Sequence, residues 1–231
     1  KMGETEDIPA GITIKGSGGY QARETYDRAS AFFQAAYSSV SPSGRILAGR
    51  LDLGSYFRDH VGEDGALNLA GLYVTSLKGQ GRYRHRFYAN VNYTLAFNRE
   101  QGGTLVLGDI SGIRGLDNNR VLGNQRVVLK LESRVFTPWS VLGFRFMVFG
   151  YADAGVVGPD RRPVLENKVY SSLGFGFRLE NADLVLPSTQ VRMGWVNSVE
   201  ESKFVLGFKI GGVDYPTIQM PGTRPGAFDF R

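Results

Sequence analysis

The run Tyr83-Arg84-His85-Arg86-Phe87-Tyr88-Ala89-Asn90-Val91-Asn92-Tyr93-Thr94-Leu95-Ala96-Phe97 decides the fold of this chain. In an extended backbone Phe87, Ala89, Val91, Tyr93, Leu95 and Phe97 fall on one side. Arg84, Arg86, Tyr88, Asn90, Asn92 and Thr94 fall on the other. A period of two is the signature of a β-strand with one wet face. Working outward, Gln125–Val135 repeats the pattern, with Val127, Leu129, Leu131 and Val135 set against Arg126, Lys130, Glu132 and Arg134. About ten such runs fill the chain: 11–21, 29–39, 44–57, 66–78, 83–98, 125–136, 141–156, 168–180, 188–197 and 203–211. Helical periodicity is nearly absent, so the predicted class is all-β and antiparallel.

Each run has at least the ~9–11 residues that a tilted strand needs to cross a bilayer. A soluble sandwich would also alternate, but here the apolar side carries aromatics near strand ends and the other side carries many Gly, Arg, Tyr and Asn. An apolar exterior around a wet interior is what a transmembrane β-barrel requires, and in lipid the strands must close so that no backbone group is left unpaired. No stretch of about 20 apolar residues offers a spanning helix. Connectors at 40–43, 79–81 and 137–139 read as tight turns, whereas 57–65, 102–124 and 158–167 read as longer, charged loops. Short turns on the periplasmic side and long loops outside are the usual barrel asymmetry. The expected organisation is a partial barrel over 1–212, with loop 102–124 folded inward, and a periplasmic tail over 213–231. Lys1-Met2-Gly3-Glu4 has no apolar signal region and reads as mid-protein, so the sequence is expected to be a fragment. The absence of Cys suits passage through an oxidising periplasm. The net charge of +5 is spread along the strands without a dense basic patch, which argues against a nucleic-acid partner.

Within the polar segment 108–123 stands Gly112-Ile113-Arg114-Gly115-Leu116. If that loop folds inward, a buried arginine needs acidic partners and hydrogen bonds. Alternation puts Glu132 on the inward face with Lys130 and Arg134, and Asp153 inward with Tyr151 and Arg145. Both carboxylates are then candidates for short, charge-assisted and bidentate pairing with Arg114. Gly112 and Gly115 would let the backbone turn sharply beside the wall.

These residues resemble a known family. Gly112–Leu116 is similar to the V/I-R-G-F/Y motif of the BamA-type outer-membrane assembly and translocation barrels, the bacterial surface antigen family, with Leu116 in place of the usual aromatic. Glu132-Ser133-Arg134-Val135-Phe136-Thr137-Pro138 resembles that family's Glu-containing strand. Phe149-Gly150-Tyr151-Ala152-Asp153-Ala154-Gly155 resembles its F-x-D-x-G strand, with one extra residue, and Ser171–Arg178 its S-x-G-x-G-x-R strand. The resemblance implies the C-terminal ten strands of a sixteen-stranded barrel that inserts or translocates proteins at the Gram-negative outer membrane. It implies Ile113, Arg114, Gly115, Leu116, Glu132 and Asp153 as a lock inside the lumen, with no catalytic residue, metal or cofactor. The implied partners are outer-membrane lipids, unfolded or secreted protein substrates, upstream POTRA domains and accessory lipoproteins. Two other readings stay open: a barrel anchoring an upstream patatin-like phospholipase domain, and a passive pore.

Weaker candidates complete the reading. Asp59-His60 with Glu63-Asp64 could suggest an acid/base or metal site, but a single rim histidine beside carboxylates reads better as a solvated loop. His85 falls on the lipid-facing side. Gly16-Ser17-Gly18-Gly19 leads into no helix and so makes a poor phosphate cradle. Trp139, Tyr170 and Trp195 lie near strand ends and read as interfacial aromatics.

Overall fold

A computed structural model describes residues 10–22, 24, 26–99, 105–109, 112–116, 122–159, 163–181, 188–198 and 202–210. The expected tail, 213–231, lies outside the described residues. The elements in chain order are β1 (Gly11–Ala22), β2 (Asp27–Val40), β3 (Ile46–Arg58), β4 (Val61–Val74), β5 (Lys78–Gln80), β6 (Tyr83–Phe97), β7 (Leu105–Val106), β8 (Leu122–Gly123), β9 (Gln125–Val141), β10 (Phe144–Gly158), a 3-10 turn (Val164–Glu166), β11 (Val169–Asn181), β12 (Thr189–Asn197) and β13 (Ser202–Ile210). Ten long strands pair with their sequence neighbours in the order β1-β2-β3-β4-β6-β9-β10-β11-β12-β13, every pair antiparallel. The protein is therefore all-β, and its meander follows the alternation read from the sequence. The sheet is open: β1 and β13 form opposite edges and are not paired with each other. The short β5 joins the edge of β6, and β7 with β8 forms a separate two-stranded ribbon inside the 98–124 connection.

Register divides the side chains between two faces. One row of cross-strand neighbours runs Lys15, Gln34, Asp52, Asn68, Thr94, Arg126. A second runs Tyr88, Glu132, Tyr151, Gly174, Gly194, Val205. Both rows belong to the same, polar face. The opposite face carries Ile14, Phe33, Leu53, Leu69, Val91, Leu129, Val148, Phe175, Trp195 and Phe208, one from each long strand and all exposed. Where an ordinary sheet buries its apolar side, this one buries its polar side.

Two connections depart from expectation. Residues 57–65 do not form a long loop: β3 and β4 join through Asp59-His60 alone, both at positive φ (50° and 67°), the geometry of a type I′ hairpin. A bulge sets Asp64-Gly65 opposite Ser55, and this kink is what makes the charged run look like a loop in the sequence. Likewise Thr137-Pro138-Trp139 is not the turn after β9. The strand continues to Val141 and turns at Leu142-Gly143, again with both φ positive. Pro138 is tolerated because residues 137–139 bulge opposite Phe146 and the ladder is interrupted there. The Thr137 hydroxyl donates to the Phe146 carbonyl at 2.9 Å.

Candidate functional site

Residues 105–109 and 112–116 of the connection between β6 and β9 lie against the polar face over β9–β13, and the local sequence explains how they seat. The N–H groups of Gly112 and Ile113 both donate to the Gly108 carbonyl, at 2.8 and 2.9 Å, and that of Asp109 donates to the Leu116 carbonyl at 2.8 Å. Gly115 sits at φ +83°, a conformation that side chains rarely tolerate. Close approach also needs glycine. A Cβ on Gly112 would come within 2.9 Å of Leu107 and Val128 side-chain atoms, and one on Gly115 within 2.9 Å of Val196. Leu107, Ile113, Leu116, Val128, Val157 and Val196 form a buried apolar cluster, with Tyr170 and Val205 packed against it. Tyr170 therefore faces the loop and is not an interfacial aromatic. Trp195 and Trp139 do lie on exposed surface. Trp195 makes an edge-on contact with Phe204 at 5.4 Å, and Trp139 with Tyr83 at 6.4 Å.

This packing carries Arg114 into the wall. Its Nε and Nη2 donate to Oδ2 and Oδ1 of Asp153 at 2.8 and 2.7 Å, a bidentate fork. Its Nη1 donates to Oε2 of Glu132 at 2.6 Å, and its backbone N–H reaches Asp153 Oδ2 at 3.1 Å. The guanidinium carbon lies 4.1 Å from the centre of the Tyr151 ring. Arg114 is 2% exposed, Glu132 1% and Asp153 2%. Withdrawing such groups from water costs several kcal/mol per ion, and the pairing and hydrogen bonds must offset that. Burial alone would pull the Arg114 pKa down. The hydrogen bonds and charges of Asp153 and Glu132 outweigh burial and hold it raised. A base whose folded pKa is raised stabilises at every pH below its ordinary value, so Arg114 stays charged throughout the working range.

Glu132 has a second cation: Arg134 Nε donates to its Oε1 at 2.6 Å, while the Arg134 guanidinium stacks 3.7 Å over Tyr88. The six residues singled out as a lock from the sequence (Ile113, Arg114, Gly115, Leu116, Glu132 and Asp153) thus lie in one contiguous assembly. The sequence reading missed Asp109 and Arg192. Asp109 Oδ1 accepts from Gly115 N–H at 2.5 Å and from Arg192 Nη2 at 2.6 Å. Arg126, which alternation puts on the same face, donates from Nη1 to the Val106 carbonyl at 2.6 Å. Also missed was a patch of glycines serving large neighbours. The Tyr151 hydroxyl occupies the space where Cβ atoms of Gly174 and Gly194 would stand, and the Phe149 ring does the same at Gly176. The signal was present: Gly174 and Gly176 alternate on the strand next to one on which Phe149 and Tyr151 alternate.

The rim candidates separate. Glu63 pairs with Arg58 at 2.5 Å and Asp64 with Arg28 at 3.0 Å, so arginines, not His60, engage these carboxylates. His85 lies on the apolar face with its Nε2 2.9 Å from Ser133 Oγ. Among the described residues no three His, Cys, Asp or Glu side chains gather as metal ligands would. Comparison with family models, curated proteins and solved structures finds no match to this chain.

Proposed function

We propose that this chain is part of an outer-membrane β-barrel of the BamA-like superfamily, inserting or translocating proteins at the bacterial outer membrane. The observation that carries the reading is the inverted sheet. Every long strand exposes apolar side chains on one face, Leu173 at 66% and Phe208 at 65% among them, while charged residues are buried on the other. Soluble monomers rarely expose an apolar patch of more than a few hundred Å². In a bilayer that face meets lipid chains, and the polar face meets water or protein. The edges β1 and β13 would then be completed by further strands of the barrel, since an unpaired edge is not tolerated in lipid.

The arginine assembly supports the BamA-like reading over a passive pore. Passive diffusion calls for no such fastening, whereas here a loop is pinned to the polar face by a bidentate ion pair. No covalent chemistry is required of the site. Work would come from substrate strands pairing at a sheet edge as they fold.

Two measurements test this in sequence. The protein is refolded into vesicles containing brominated lipids, where Trp195 fluorescence should be quenched. Unquenched emission from Trp195 would remove the membrane assignment. In vesicles that pass, a denatured outer-membrane protein should acquire protease resistance faster than in protein-free vesicles, and Arg114→Ala should reduce that gain. Equal insertion with and without the protein would overturn the assembly role and leave an anchor or a pore.

A further inference from the structure

We infer that Asp109 and Arg192 form a second anchor, one that couples the seating of the Arg114 loop to the pairing of the last strand. The ion pairs of Arg114 join the loop to β9 and β10. Asp109 reaches two strands further, with a single carboxylate oxygen accepting from both Gly115 N–H inside the loop and Arg192 Nη2 on β12. Arg192 in turn lies across β13. A Cβ at Gly207 would stand 2.7 Å from Arg192 Nε and 3.0 Å from its Cγ, so the glycine is what lets this side chain cross. The loop also touches β13 directly, because the Cβ position of Gly115 is 3.3 Å from Val205 Cγ1. β13 is an edge strand of nine residues with β12 as its one sheet neighbour, so these contacts over its polar face bear on whether it stays paired.

Asp109 and Arg192 are thus positioning residues. Neither belongs to the buried Arg114–Glu132–Asp153 group, and Asp109 is about one-third exposed (35%), so the pair can open without unpairing the buried charges. Opening it would release Arg192 from Asp109 and loosen the loop's hold on β13 while Arg114 stays locked. The bearing of this on function rests on the reading proposed above, but its test does not.

Hydrogen exchange of the purified full chain in detergent micelles, without substrate, reads the coupling. Asp109→Asn keeps an oxygen for Gly115 N–H but removes the charge facing Arg192. Amides of 202–210 should then exchange roughly two- to fivefold faster, the scale expected for losing a partly exposed ion pair. Amides of β9 and β10 should be unchanged, which also confirms that the variant folds. Gly207→Ala should speed the same amides by displacing Arg192. Combined with Asp109→Asn it should add little, because both act through one side chain. Unchanged protection of 202–210 in Asp109→Asn, or fully additive effects in the double variant, would overturn the inference. A chain that failed to insert proteins would still give this exchange result. A failure here would leave the Arg114 assembly as described.

Discussion

The two halves of the sheet handle buried charge in opposite ways. In the β1–β6 half, Asp52 is compensated by residues of its own and adjacent strands. Gln34 Nε2 donates to it at 2.5 Å, Arg50 Nε at 2.8 and 2.9 Å, and Asn68 Nδ2 at 3.4 Å. Thr94 extends the network: its hydroxyl lies 3.1 Å from Asn68 Oδ1 and 3.0 Å from Asn92 Oδ1 and donates to one of them at a time. Every partner arrives with the meander itself. In the β9–β13 half, Asp153 is compensated by Arg114, 39 residues earlier in the chain and carried in by a loop. Glycines and an apolar cluster hold that loop in place. A network made by strand pairing is as robust as the sheet, whereas one made by a docked loop can be lost while the sheet survives.

The sharpest break is Arg114→Ala. It strands a buried carboxylate, which costs about 3–5 kcal/mol when one member of a buried pair is removed. The loss should appear in urea unfolding of the vesicle-inserted protein, together with new proteolytic cleavage within 101–121. Glu132 keeps Arg134, so Asp153 suffers more. Adding Asp153→Asn to Arg114→Ala should therefore recover more stability than adding Glu132→Gln. Equal recovery from both would show that the asymmetry between the two acids is not energetic. Arg114→Lys comes next, at roughly 1–3 kcal/mol: it keeps the charge but cannot make the fork to Asp153 and the bond to Glu132 together. Loop cleavage should be intermediate between wild type and Arg114→Ala.

Legibility follows the same division. The period of two placed every long strand and both faces, because alternation is a local property that strand pairing preserves. Glu132 and Asp153 could be assigned to the face of Arg114 by parity alone. Hairpins were harder. Asp59-His60 and Leu142-Gly143 adopt positive φ without the Asn-Gly or Asp-Gly pairs that usually announce it, and Pro138 marked a bulge where a turn was expected. Least legible were Asp109, Arg192 and the glycines beneath Tyr151, whose meaning depends on which strands become neighbours and where a loop lands. Parity assigns Tyr170 to the polar face, but its place near a strand end suggested an interfacial aromatic. It packs under the loop instead.

Gly155→Ala tests the docking without touching a charge. The added methyl would meet Ile113 Cδ1 at 2.9 Å and Leu107 Cδ1 at 3.0 Å, both fully buried. Overpacking of this kind costs about 1–3 kcal/mol, and part of it should appear as increased cleavage of the loop. Loss of stability with an undisturbed loop would mean that the strain is absorbed in β10 instead.

The smallest effect belongs to the other half. Asp52→Asn keeps one oxygen to accept from Gln34, sets an amide NH2 against the long 3.4 Å contact from Asn68, and loses mainly the ionic part of its bond to Arg50, whose side chain is 23% exposed. The cost should be about 1 kcal/mol, since water can solvate the arginine once its partner is neutral. No part of the Arg114 assembly contacts Asp52, so loop cleavage should stay at the wild-type rate even if stability falls further than expected. That cleavage rate decides the comparison. If Asp52→Asn also frees the loop, the halves share one cooperative polar network, and the row running from Lys15 to Arg126 is the route that joins them.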